Sequence, residues 1–149
     1  MSSPFTEENA ASYKRLEGLA TGLSVHDLGR STPYGWTVAG LLVHLAFWDQ
    51  RVLTLLRRWK SRGLDPSPID SEAVNDSLKV ICHAVDPRIA IDLCLASARS
   101  VDAEIETLDS AFVAEIQAAA ASNGTQFRLS RALHRNDHID HIQELLEQP

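Results

Sequence analysis

Three of the chain's six histidines fall within eight residues, in the run Leu133-His134-Arg135-Asn136-Asp137-His138-Ile139-Asp140-His141-Ile142. A fourth, His44, stands inside the apolar stretch Leu41-Leu42-Val43-His44-Leu45-Ala46. On a helix, imidazoles four residues apart lie roughly 5–6 Å apart at Cβ. Two of them can grip one metal ion, and a third from a neighbouring helix completes a facial set of nitrogen donors. A divalent-metal site in a helical protein is the leading expectation. No HExxH run accompanies it, so nothing points to a zincin-type peptidase.

The elements that must position these side chains read as helices joined by short loops, with no convincing strand. Thr6 ahead of Glu7 and Glu8 reads as a helix cap with an acidic first turn, followed by helical spacing at Tyr13, Leu16, Ala20 and Leu23. A loop is predicted over 27–36, where Pro33 and Gly35 break the pattern. Thr37 opens a second helix to about Ser61, with Leu41, Leu45, Trp48, Val52, Leu55 and Trp59 as its apolar stripe. Asp70 or Ser71 caps a short helix to about His83, and Asp86-Pro87 opens a longer one ending near Leu108. Residues 110–121 are helix-prone, and the last helix is predicted from about Thr125 to Glu147. Four long amphipathic helices with a short extra one predict an all-α, single-domain four-helix bundle over residues 1–149.

The histidines can be placed on the last helix at about 100° per residue, with His138 as zero. Ile142 then falls near about 40°, Leu146 near about 80°, Ile139 near about 100° and Leu145 near about 340°. His138 lies inside this apolar face and His134, at about 320°, on its edge. His141 and Asp137 lie further out, near about 300° and about 260°. The pair His134/His138 is thus better aimed at an interior than Asp137/His141, although a carboxylate with an imidazole also suits a divalent metal. His26 and His83 have no visible partners and read as surface or capping residues.

Composition is that of a soluble globular domain, 44% hydrophobic and 23% charged. A net charge of −6 speaks against nucleic acid as a partner, because phosphate binding needs an excess of Lys and Arg on one face. The basic cluster Arg57, Arg58, Lys60 and Arg62 suits a solvated helix end. No apolar run approaches the ~18 residues of a membrane span. The first eight residues have neither the basic nor the apolar region of a secretion signal, so a cytoplasmic protein is expected. Cys82 and Cys94 form no CxxC and read as small, reduced, buried residues.

The segment Gly35-Trp36-Thr37-Val38-Ala39-Gly40-Leu41-Leu42-Val43-His44-Leu45-Ala46-Phe47-Trp48-Asp49 closely resembles the start of the second helix in DinB-like (YfiT-like) proteins. There a G-W-[ST]-V opening precedes a helix carrying H-L-A-x-W. The run from Leu133 to Ile142 resembles the family's closing His-x-x-x-His helix, and helix order agrees across nearly the whole chain. The resemblance implies an up-down-down-up four-helix bundle with a metal held by His44, His134 and His138. Some relatives place a carboxylate one turn before the last histidine, which keeps Asp137 and His141 as an alternative pair.

Three imidazoles leave open positions on Zn²⁺ or Ni²⁺, as in catalytic sites. What the resemblance implies is a metal-dependent enzyme acting on a small reactive molecule, by thiol-dependent S-transfer or hydrolysis. It further implies a low-molecular-weight thiol as co-substrate and a homodimer. Tyr34, Trp36 and Trp48 are candidates for an apolar mouth, and Asp49 for orienting an imidazole or acting as a base. Asn75 and Arg135 are further candidates. The rival expectations are a non-catalytic metal- or small-molecule-binding stress-response bundle, and a polar core that the histidines merely satisfy. A fold shared by so many activities does not choose among them.

Overall fold

The computed structural model describes residues 3–123 and 127–149. Seven α-helices and no strand occur among them: α1 (Pro4–Thr21), α2 (Val25–Gly29), α3 (Val38–Arg62), α4 (Ser71–Ala84), α5 (Pro87–Glu106), α6 (Ser110–Asn123) and α7 (Ala132–Glu147). The all-α class is as expected. Most helix starts follow the polar caps read from the sequence. Thr37 Oγ1 accepts the Gly40 N–H at 2.9 Å, Asp70 Oδ1 accepts that of Ala73 at 3.0 Å, and Asp86 with Pro87 opens α5. α3 stops at Gly63, whose φ of 87° a residue with a Cβ rarely adopts.

Three boundaries differ from expectation. The cap of α1 is Ser3 and not Thr6, because Pro4 suits the first helical position, where no backbone donor is needed. The short helix α2 precedes the expected loop and overlaps its start; Ser24 and Asp27 close a reciprocal capping box around it. Five residues are too few to show a helical period. The last helix begins at Ala132, well after Thr125, which lies outside the described residues. Residues 127–131 are held out of the helix by α1. Asn9 donates its amide to the Leu129 carbonyl at 3.1 Å and accepts the Arg131 N–H at 2.7 Å.

α3 lies along α5 and also meets α2, α4 and α7, while α1 lies against α5 and α7. Two apolar clusters fill the interior. One gathers Leu16 and Ala20 of α1, the first part of α3 from Val38 to Leu45, Ala90 to Ala98 of α5, and Ile139 to Leu145 of α7. The other gathers Val52 to Trp59 of α3, Val101 and Ile105 of α5, Ile116 of α6 and Leu129. Burying each such Leu or Ile contributes about 1.5–3 kcal/mol, so both clusters resist any shift of the helices that carry the histidines. Among the described residues, no helix is long and apolar enough to cross a membrane.

Candidate metal centre

His44 sits on the second turn of α3, 5% exposed, where the apolar stripe of that helix meets α7. His134 and His138 stand one turn apart on α7, half-buried at the edge of the face formed by Arg135, Ile139, Ile142 and Leu145. The three rings form a near-equilateral triangle. Centroids are 5.0 Å apart for His44–His134, 5.0 Å for His44–His138 and 4.9 Å for His134–His138. One nitrogen from each ring can be chosen so that all lie within 4.8 Å of one another. His44 Nε2 and His134 Nε2 are 3.0 Å apart, close to the separation of about 3.3 Å implied by Zn–N bonds of about 2.05 Å at a tetrahedral angle.

Two further observations fit a cation. His138 Nδ1 is buried and has no hydrogen-bond partner among the described residues, an arrangement that costs about 1–3 kcal/mol when nothing compensates it. All three rings are also kept neutral at pH 7. Burial, followed by the neighbouring rings, lowers the pKa of His134 to about 2. Burial and His138 lower His44 to about 4. Burial and His141 lower His138 to about 4, against the opposing pull of Asp137. A neutral imidazole offers a lone pair to a metal; a protonated one offers none.

The alternative pair does not join this cluster. Asp137 is exposed, and the His141 ring, 5.7 Å from that of His138, packs against Tyr34 at 5.4 Å. Of the aromatic candidates, Trp36 sets its edge on His44 at 5.1 Å and Trp48 approaches it at 6.4 Å. Asn75 fixes Trp48 by accepting its indole N–H at 3.0 Å. Tyr34 is 68% exposed and lies against His141, not the triangle. His83 has a partner the sequence did not reveal: its Nε2 accepts the Thr37 N–H at 3.3 Å, at the start of α3.

Asp49 does not orient an imidazole. It is 2% exposed, and its two oxygens accept from Arg131 Nε at 2.8 Å and Arg135 Nη2 at 3.2 Å. Arg135, the largest fully buried side chain, continues the network to Asp102 of α5 at 2.9 and 2.7 Å. Its Nη1 also reaches the Asn9 carbonyl and the Ser12 hydroxyl of α1, each at 3.3 Å. One arginine adjacent to His134 therefore ties α7 to the other three long helices. A sign of it existed in the sequence: position 135 falls at about 60°, in the middle of the apolar face of the last helix. A charge at a core position needs buried partners.

A groove of about 500 Å³ opens beside His134, walled by Trp48, Arg51, Asn75, Arg128, Arg131 and Asp137. A smaller cavity of about 200 Å³ lies at the far core, around Trp59, Ile116 and Phe127, away from the imidazoles.

Fold and site thus define an all-helical protein in which three imidazoles from two helices converge so as to allow metal binding. The family model of the DinB superfamily matches residues 8–141, and the chain belongs to that superfamily. No curated protein and no solved structure matches it.

Proposed function

We propose that this chain is a divalent-metal-dependent enzyme acting on a small reactive molecule, with His44, His134 and His138 as the metal's protein ligands. The observation that carries the reading is the convergence of three neutral imidazoles, within 4.8 Å at their ligating nitrogens, beside a groove large enough for a small substrate. A Zn²⁺ or Ni²⁺ ion held by three imidazoles supplies Lewis-acid chemistry, making a water or a low-molecular-weight thiol nucleophilic near neutral pH. Hydrolysis and thiol S-transfer are the reactions this chemistry serves best.

The chain's own residues divide the remaining work. Asp49, Arg131 and Arg135 hold α7 in register with α3, which fixes the His134 and His138 rings opposite His44. Trp36 and Trp48 shield His44 from water on its outer sides, and Trp48 continues into the groove wall. The four long helices supporting the site form, in our reading, an up-down-down-up bundle. The two core clusters support that order. The start of α3, the start of α5, the end of α1 and the end of α7 share the first cluster, and the opposite ends approach the second.

Elemental analysis of untagged protein after mild metal supplementation tests the proposal. One equivalent of bound metal is expected, and His44→Ala is expected to weaken zinc binding at least 100-fold while the circular dichroism spectrum stays helical. Less than about 0.1 equivalent in the unsubstituted protein overturns the assignment.

A further inference from the structure

The groove beside His134 carries a charge opposite to that of the molecule as a whole. Three arginines, Arg51, Arg128 and Arg131, line it with a single acidic residue, Asp137, in a chain of net charge −6. Asp137 forms no ion pair with any of the three among the described residues. Two of the arginines are also held in place. Arg131 is only 7% exposed, with Nε on Asp49 at 2.8 Å and Nη1 on the Arg128 carbonyl at 3.3 Å. Asp49 pairs with it and Asp102 with Arg135, but the Arg131 Nη2 has no hydrogen bond to the described residues and is left as a donor.

Arg51 approaches the Trp48 ring, its guanidinium carbon 6.0 Å from the centroid. Its Nη2 donates to the carbonyl and the hydroxyl of Ser67 at 2.9 and 3.0 Å. These partners orient the side chain without neutralising it, and Nε and Nη1 have no hydrogen bond to the described residues. Burial and the like charge of Arg131 together lower the pKa of Arg51, as expected of two cations that share a partly dehydrated space. A guanidinium so placed recognises a planar or tetrahedral oxyanion through paired N–H donors, and holds it more strongly where water is thinned out.

We infer that this groove binds the oxyanion end of the substrate, a carboxylate or a phosphate, through Arg51 and Arg131, with Arg128 at the rim. The inference rests on the metal-centre reading for the chemistry, since His134 walls the same groove. It narrows the substrate class to small anions whose reactive atom lies a few bonds from the charged group. Trp48 gives the intervening part of such a molecule an apolar face to lie on.

Isothermal titration with benzoate, inorganic phosphate and the neutral analogue benzamide tests this, on full-length protein both zinc-loaded and chelated. Saturable binding of benzoate or phosphate is expected in both forms, with benzamide at least tenfold weaker. Arg51→Gln is expected to weaken the anion about tenfold at unchanged zinc stoichiometry, and Arg128→Gln, at the exposed rim, about threefold. Anion affinity in the folded Arg51→Gln variant unchanged from that of the unsubstituted protein overturns the inference. So does anion binding that vanishes on chelation, which puts the anion on the metal instead. A protein that takes up no zinc but still binds anions through Arg51 removes the metal reading and leaves the arginine groove standing.

Discussion

Arg135 is the residue on which the candidate site depends most without belonging to the triangle. It is fully buried, carries a charge, and makes hydrogen bonds or ion pairs to α1, α3 and α5. Asp49 and Asp102 balance Arg131 and Arg135 in charge, so the cluster is neutral as a unit and strongly unbalanced if one member is removed. Replacing a whole buried ionic cluster by apolar groups is often harmless, whereas deleting one partner typically costs about 3–5 kcal/mol. Arg135→Met is therefore expected to lower stability by about 3–5 kcal/mol in urea denaturation. Asp102→Asn is expected to cost less, because the Asp102 side chain is 15% exposed and water can take over part of its solvation. Equal and small losses for both would mean that packing, and not charge balance, holds α7 in place. Arg135 neighbours His134 on α7 and ties that helix to the others, so the Arg135 variant should also bind zinc more weakly.

At the scale of elements, what the sequence made legible is what local rules determine. The caps Thr37, Asp70 and Asp86 act over two or three residues, and the stripe on α3 from Leu41 to Trp59 repeats over about five turns, so both are visible in one dimension. The aim of His134 and His138 followed from helical period alone, and the rings do meet His44. The start of α7 was not legible in this way. It is set by Asn9, more than a hundred residues away, whose side chain holds the Leu129 carbonyl and the Arg131 N–H. The pairing of Asp49 with two arginines was hidden for the same reason: it joins residues 82 and 86 positions apart. Asn9→Ala leaves the backbone groups of Leu129 and Arg131 without partners in a buried setting, at about 1–3 kcal/mol each. The expected result is a lower urea midpoint together with faster amide exchange at Arg131, while amides in the middle of α5 keep their relative protection. Uniform loss of protection across all helices would show instead that residues 127–131 unfold only with the whole molecule.

For the molecule as a whole, the same three imidazoles make stability depend on pH before any metal is bound. In the unfolded chain each histidine takes up a proton near pH 6.5. In the folded, metal-free protein His44 and His138 do so only at about 4, and His134 at about 2. Between pH 6.5 and 4 the unfolded state therefore binds more protons than the folded one, and stability must fall as pH falls. The carboxylates held below their usual range, such as Asp86 and Glu104, withdraw their contribution only below about pH 4.5, the upper end of the carboxylate range. Asp102, raised by burial, acts in the opposite direction. The decline from pH 7 to 5 thus belongs to the imidazoles. Urea unfolding of chelated protein at pH 7.5, 6 and 5 is expected to show it, and His134→Ala with His138→Ala should flatten it. Zinc at a hundredfold its dissociation constant should add about 2.7 kcal/mol at pH 7.5 and progressively less at pH 5, where protons compete for the same nitrogens. A metal-free protein equally stable at pH 7.5 and 5 would mean that the rings are open to water, and the triangle would lose the dry setting that makes it a site for a cation.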